Sequence, residues 1–310
     1  MNYEFSEISY PSSDGIHTIH AEIYVPKDKA PKGIVEIAHG MVDYVERYRP
    51  LADFLCGEGY IVAGNDHLGH GKSVNDEGEL GYFAKRGGTD FVIADLYEMN
   101  KYLHAQYKNL PIFLLGHSMG SFIARIYAVR HPHSIAGLII HGTAGPNPVL
   151  PLGRALAAVT SLFRGDKHRS KFIKSLATGS YNKRFPKEEG INAWLTRKTE
   201  AVKDKDNDIR GGFSFTVSGY RDLFRFLGDS NSKKWFDSYP KFLPTLIMSG
   251  EADPVGAYGK GPRYVYKKLM ISGAERLELK LYEGARHELF NELNADEVFG
   301  DLLKWLEASR

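Results

Sequence analysis

The sequence predicts an α/β protein: a doubly wound, mostly parallel eight-stranded sheet with helices on both faces and an inserted, mainly helical cap. Three observations carry this. Short apolar runs alternate with segments of helical period, the pattern of strands covered on both faces. An antiparallel pair precedes the alternation. The alternation then breaks between residues 146 and 240 and resumes afterwards.

The first pair is "YEFSEISY" and "HTIHAEIYVP", joined at the turn-forming "SSDG". Five runs then read as buried parallel strands: "GIVEIAHG" (33–40), "GYIVAGND" (59–66), "PIFLLG" (111–116), "IAGLIIHG" (135–142) and "LPTLIMSG" (243–250). The alternating "RLELKLYEG" (276–284) reads as the last strand. "LADFLCGEG" reads as a helix end. "TDFVIADLYEMNKYLHAQY" places Val92, Leu96, Met99 and Leu103 on one helical face, with Thr89 or Asp90 as the expected N-cap. The last segment aligns Val298, Leu302, Trp305 and Leu306 in the same way.

The interruption opens with "GPNPVLPLG" and is too long for a loop inside a compact domain. The expected organisation is therefore a core of residues 1–145 and 241–310 with a cap at 146–240. Residues 151–240 hold 18 Lys and Arg against 10 Asp and Glu, so the cap is the basic part of a chain whose net charge is only +2. That small overall charge argues against a nucleic-acid binder. The basic cap allows peripheral contact with an anionic lipid surface.

The single cysteine, Cys56, excludes an intrachain disulfide and makes a cysteine metal site a poor expectation. It reads as a small buried residue in a reducing, cytoplasmic setting. "MNYEFSEISYPSSDG" has neither a basic n-region nor an apolar h-region, so no signal peptide is expected. No apolar run approaches 18 residues, so no transmembrane segment is expected.

The chemistry centres on "PIFLLGHSMGSFIA", in which Ser118 sits between Gly116 and Gly120. A strand that stops, a serine in a strained turn and an immediate helix thrust the hydroxyl out at the carboxyl end of a sheet. That end is where open α/β sheets bind ligands. The serine needs a base. His117 is adjacent but projects differently. His287, in "GARHELFNE" between the last strand and the last helix, lies at the same sheet end. The base in turn needs a carboxylate, and "LPTLIMSG" runs into Glu251-Ala252-Asp253. Asp253 is preferred over Glu251. The order Ser118, Asp253, His287 is the one such an architecture requires. Two backbone N–H groups are expected to stabilise an oxyanion: Met119, after the serine, and Met41, in "AHGMVDY" after an earlier strand.

These segments together resemble the α/β-hydrolase superfamily, and more narrowly its monoacylglycerol lipase and lysophospholipase-like branch, grouped with the S33 aminopeptidases. "HGMVDYVERY" is similar to that family's oxyanion segment, "DHLGHGKS" to its D-x-x-G-H-G-x-S loop, and "GHSMGS" to its nucleophile elbow. "SGEADPVG" is similar to its acid loop and "GARHELFNE" to its histidine loop. The resemblance implies catalytic roles for Ser118, Asp253 and His287 and oxyanion donors Met41 and Met119. It also implies a lid where the cap is placed, "GGFSFTVSGYRDL" (211–223) being similar to the lid's end, and acyl-enzyme hydrolysis of a small or single-chain lipid ester without cofactor or metal. "VLPLGRALAAVTSLF" (149–163) is apolar enough to line an acyl pocket or touch lipid.

Other readings are weaker. "GHGKS" has Asp66 where a phosphate-binding loop needs glycine. A short-chain carboxylesterase fits the same constellation. An aminopeptidase would want an acidic group near the substrate amine, with Glu188, Glu189 and Glu200 as candidates. A non-catalytic binding relative would be expected to have lost a member of the constellation.

Overall fold

Strands β1 (Tyr3–Pro11) and β2 (Thr18–Pro26) form an antiparallel hairpin in the computed structural model, which describes residues 2–310 apart from the side chain of residue 209. The hairpin joins the edge of a single sheet. Its other strands are β3 (Gly33–Ala38), β4 (Tyr60–Asn65), β5 (Ile112–His117), β6 (Gly137–His141), β7 (Thr245–Gly250) and β8 (Leu277–Tyr282). The order is β1-β2-β4-β3-β5-β6-β7-β8. β2 pairs antiparallel with β4, and every pair from β4 to β8 is parallel.

The near-continuous apolarity of the central strands follows from burial on both faces. Along β3, Ile34 and Ala38 enter one core, whereas Val35 and Ile37 enter the other. The first core is covered by α2 (Gly88–Gln106), α3 (Met119–Arg130) and α9 (Lys260–Ile271). The second is covered by α1 (Arg49–Gly57) and α10 (Ala295–Ser309). The chain crosses from β3 to β4 on one face and from β4 to β5 on the other, so a crevice opens beyond the carboxyl ends of β3 and β5. Such switch points bind ligands in open α/β sheets.

Val92, Leu96, Met99 and Leu103 of α2 are all fully buried, as their spacing predicts. The N-cap expectation is corrected. Helix α2 already begins at Gly88, ahead of both expected caps, and its cap is Gly87 in the left-handed region at φ 77°. Thr89 donates instead to Asp222 at 3.3 Å, and Asp90 pairs with Arg130 and Arg225. These tertiary partners outcompete the local capping geometry. Cys56 is buried near the end of α1, where burial pushes its thiol up to about 12.

Between β6 and β7 no strand occurs among the described residues. That segment holds α4 (Leu150–Arg164), α5 (Lys171–Thr178), α6 (Thr199–Asn207), α7 (Val217–Ser230) and α8 (Lys233–Asp237). Helix α7 packs on α2 and α3, and Phe215, Tyr220, Phe226 and Trp235 join the first core. Among the described residues no helix is long and apolar enough to cross a membrane.

One buried carboxyl marks the first core. Glu36 of β3 accepts from Asn100 Nδ2 of α2 at 2.6 Å, its other oxygen has no partner, and burial pushes it up to about 8. Between its ordinary 4.5 and that value the folded chain keeps a proton that the unfolded chain has released. Stability contributed by Glu36 is therefore complete below that window and declines through it, by up to about 1.4 kcal/mol per pH unit. Glu36→Gln keeps the acceptor for Asn100 and removes the proton. Urea midpoints taken at about pH 5 and about pH 8 should converge in the variant, whereas identical declines in both proteins would place the slope on other groups.

Candidate active site

Ser118 joins β5 to α3 at φ 53°, ψ −117°. A non-glycine residue there carries strain on the order of 1–3 kcal/mol and persists only where its surroundings over-determine it. They do so here. The Ser118 N–H donates to His141 O of β6 at 2.9 Å, and its carbonyl accepts from the Ser121 N–H and hydroxyl at 2.9 and 2.6 Å. A Cβ on Gly116 would lie 2.3 Å from Gly120 O, and one on Gly120 would lie 1.9 Å from Ala38 O. The two glycines thus allow α3 to start against the ends of its own strand and of β3.

His287 follows β8, and Asp253 follows β7. His287 Nδ1 lies 2.9 Å from Asp253 Oδ2, and both side chains are almost wholly buried. Asp253 Oδ1 accepts from the Val255 N–H at 2.8 Å, which fixes the carboxylate. His287 Nε2 is buried and has no hydrogen-bond partner among the described residues. Glu251, the competing acid, is exposed and pairs with Arg263 at 3.0 Å. Gly142, at φ 61°, leaves room for the imidazole: a Cβ there would come within 3.1 Å of His287 Cε1.

The expected oxyanion donors lie at two chain ends that meet. Met119 is the first residue of α3, where a helix leaves its N–H without an internal acceptor. Gly40 packs so closely on the elbow that a Cβ would be 3.2 Å from Ser118 Cβ. The Met41 N–H that follows donates to no acceptor among the described residues. The turn is held from below by Asp43, whose Oδ2 accepts from the Gly40 N–H at 3.2 Å and from the Tyr48 hydroxyl at 2.9 Å. Burial works against the Asp43 charge, but Arg47 and Lys205 hold its carboxyl well below the usual range. Arg47 also bonds Glu288 through both terminal nitrogens, at 3.0 and 2.9 Å. This buried bidentate pair ties the loop after β3 to the loop bearing His287.

Two further histidines lie beside His287. The His117 ring lies 4.8 Å from that of His287 and 4.4 Å from that of His141. Burial pushes His117 well down and His141 down to about 3, so neither carries charge near neutral pH. His141 Nε2 accepts from the Leu289 N–H at 3.3 Å. The "GHGKS" loop wraps Asp66, whose carboxylate accepts from the Val45 and Lys72 N–H groups at 2.8 Å each and contacts His20 Nδ1 at 3.1 Å. It braces the loop after β3 and has no phosphate cradle. Glu7, His20 and Glu22 approach one another within 4.8 Å, but Lys72 already sits on Glu7 and the Tyr24 hydroxyl on Glu22. That arrangement suits an ion pair better than a metal.

Several residues here escape sequence reasoning. Trp194, whose ring lies 5.1 Å from that of His287, comes from the insert and follows no motif. The partners Arg47 and Glu288 are separated by 241 positions. His141 had a usable signal, since it ends a strand at the same sheet edge as the other site residues.

The Hydrolase_4 family model, described as serine aminopeptidase, S33, matches residues 29–294. The chain is 27% identical over 309 residues to a monoacylglycerol lipase of Mycolicibacterium smegmatis, covering 97% of this chain and 96% of that one. It is 27% identical over 309 residues to the monoglyceride lipase of Homo sapiens, covering 96% and 92%. Among solved structures, a thermostable carboxyl esterase from Bacillus coagulans in complex with glycerol superimposes with a TM-score of 0.91 at 29% identity, over 98% of both chains. With this sheet, this elbow and a match across most of its length, the chain belongs to the S33 serine aminopeptidase family of α/β-hydrolases.

Proposed function

We propose that this chain is a serine carboxylic-ester hydrolase that works through an acyl-enzyme, with single-chain lipid esters of the monoacylglycerol or lysophospholipid type as substrates. The observation that carries this reading is the buried Asp253–His287 pair, with His287 Nε2 unpartnered at the same sheet end as the strained Ser118. In this reading Ser118 Oγ attacks the ester carbonyl carbon while His287 Nε2 takes its proton. Asp253 holds the tautomer and stabilises the imidazolium. The Met41 and Met119 N–H groups receive the oxyanion, and each such donor is typically worth about 10²–10³ in rate. His287 then protonates the departing alkoxide. A water deprotonated by the same nitrogen attacks the acyl-enzyme, the bond to Ser118 Oγ breaks, and His287 returns the proton to that oxygen as the carboxylic acid leaves.

The lipid-ester reading draws on the relatives named as monoacylglycerol lipases and on the glycerol-bound carboxyl esterase. It also draws on the insert, for which residues 146–240 are proposed as a cap. Leu152, Val159, Leu162 and Phe163 of α4 and Phe172 of α5 are all more than half exposed. Beside them are Arg164, Lys167, Lys171 and Lys174. Apolar side chains rimmed by basic ones suit the interface of an anionic lipid layer, so peripheral contact through this face is part of the proposal. The aminopeptidase reading is less favoured: Glu189 is occupied by Arg286 at 2.7 Å, and Glu188 and Glu200 are exposed.

A fluorophosphonate should label the wild type and leave Ser118→Ala unlabelled; a wild type that stays unlabelled would remove the catalytic reading. Loss of Ser118 or His287 should cost on the order of 10⁶ in kcat, and Asp253→Asn about 10⁴. His287→Ala retaining most of its activity would show that the base lies elsewhere.

A series of p-nitrophenyl and glycerol esters should give rising kcat/KM as the acyl chain lengthens beyond acetate, and a sharp preference for acetate would count against a lipid substrate. Replacing Leu162 and Phe163 together by serine should lower turnover of monoacylglycerol in anionic vesicles. It should leave a soluble short-chain ester unaffected, and equal losses on both would point to a folding defect instead of a lipid contact.

A further inference from the structure

The loop that carries Met41 contains a residue whose backbone is unfavourable on its own. Val42 has φ 55°, the left-handed region in which a β-branched side chain is an outlier. Residues 41 and 42 form a tight turn directly after Gly40. From the core, the turn is held at its edges: Gly40 N–H on Asp43, Gly40 O on His39 Nδ1 at 2.8 Å, and Val45 N–H on Asp66. The Val42 carbonyl is held from the other side. It accepts a hydrogen bond from the ammonium of Lys205, on α6 of the insert.

Lys205 is an unusual residue for this duty. It is 7% exposed, and lysine is rarely buried unless paired. Burial and the nearby Arg47 push it down to about 8, while Asp43, Glu288 and Asp208 act in the opposite sense. The contact is part of a wider docking of the insert on this loop. The Tyr44 hydroxyl donates to Asp208 at 2.5 Å. The Arg210 guanidinium lies 4.0 Å from the Tyr44 ring centroid and 3.1 Å from Glu46. None of these contacts reaches Ser118, Asp253 or His287.

We propose that Lys205 is a positioning residue for the oxyanion hole: by holding the Val42 carbonyl it keeps Val42 left-handed and the preceding Met41 N–H directed at the substrate, so that docking of the insert completes the site. The inference rests on the serine-hydrolase reading above. It makes a segment otherwise concerned with substrate access part of the catalytic geometry. If Lys205 is lost, Val42 relaxes towards an ordinary conformation, and the peptide carrying the Met41 N–H keeps the bond of its own carbonyl to His39 Nδ1 but loses the support of the turn that follows it. Ground-state binding of ester changes little, because the donor acts on charge that develops later.

The test uses the full chain with a soluble p-nitrophenyl ester. Lys205→Met should lower kcat by about 10- to 100-fold, part of the effect of losing a whole donor, with KM changed by less than about threefold. Affinity for phenylboronic acid, which presents a tetrahedral oxygen to the hole, should fall by a similar factor. Glycine holds a positive φ without strain, so in a Val42→Gly background the same Lys205→Met change should cost less than about threefold. A lysine needed only to seat the insert would show no such suppression. Wild-type kcat and boronate affinity in Lys205→Met, or an undiminished loss in the glycine background, would overturn the proposal. Thermal midpoints check folding, and Lys205→Gln, which leaves a polar end in the buried site, gives the same readout if Lys205→Met does not fold. A wild type no more active than Ser118→Ala would instead overturn the hydrolase reading itself.

Discussion

At Ser118 two close approaches of backbone replace what side chains usually do. The start of α3 lies so near the ends of β5 and β3 that neither Gly116 nor Gly120 has space for a Cβ. That compression forces the left-handed conformation at Ser118 and lifts its side chain out of the sheet. It also brings the first N–H of α3 beside the loop that leaves β3, so the candidate nucleophile and candidate oxyanion donors are set by one constraint. Strain at such a turn is tolerable because β5 sits in the middle of an eight-stranded sheet whose two faces are buried under separate cores.

Around that turn, charge is distributed unevenly. His117 and His141 are kept neutral by burial, so the imidazolium formed on His287 during catalysis would have no competing cation among its ring neighbours. Charge is concentrated one layer away, in Asp43, Arg47, Glu288 and Lys205. Breaking a buried pair of this kind leaves an uncompensated charge, at a cost of about 3–5 kcal/mol. The group therefore works as a cross-brace between the loops after β3 and β8. The insert adds to the brace from above. Arg286, next to His287, donates to Ala193 O at 2.6 Å, and the Glu288 N–H donates to Leu195 O at 2.7 Å. The insert and the loop bearing His287 are thus joined through peptide groups as well as side chains.

The prediction from local pattern was strongest where one physical rule dominates. Strands buried on both faces must be apolar throughout, and that pattern exposed the five strands from β3 to β7, while alternation exposed β8 and the hairpin before them. Helix faces followed from spacing. The α2 cap did not, because Thr89 and Asp90 found partners on α7 and at the end of α3 that no local rule anticipates. In the site, Ser118, Asp253 and His287 were legible because each lies just past a strand end, and all such ends of a parallel sheet face the same way.

By itself, then, the sequence determined the sheet, the sheet edge at which Ser118, Asp253 and His287 gather, and their order along the chain. These depend on periodicity and on the polarity of parallel strands, which are local properties. Only the tertiary structure decided that the Trp194 ring lies beside that of His287 and that Lys205 holds the Val42 carbonyl. Both contacts turn on the packing of an insert without regular strands against loops more than 90 residues away in the chain, and no period in the sequence encodes them.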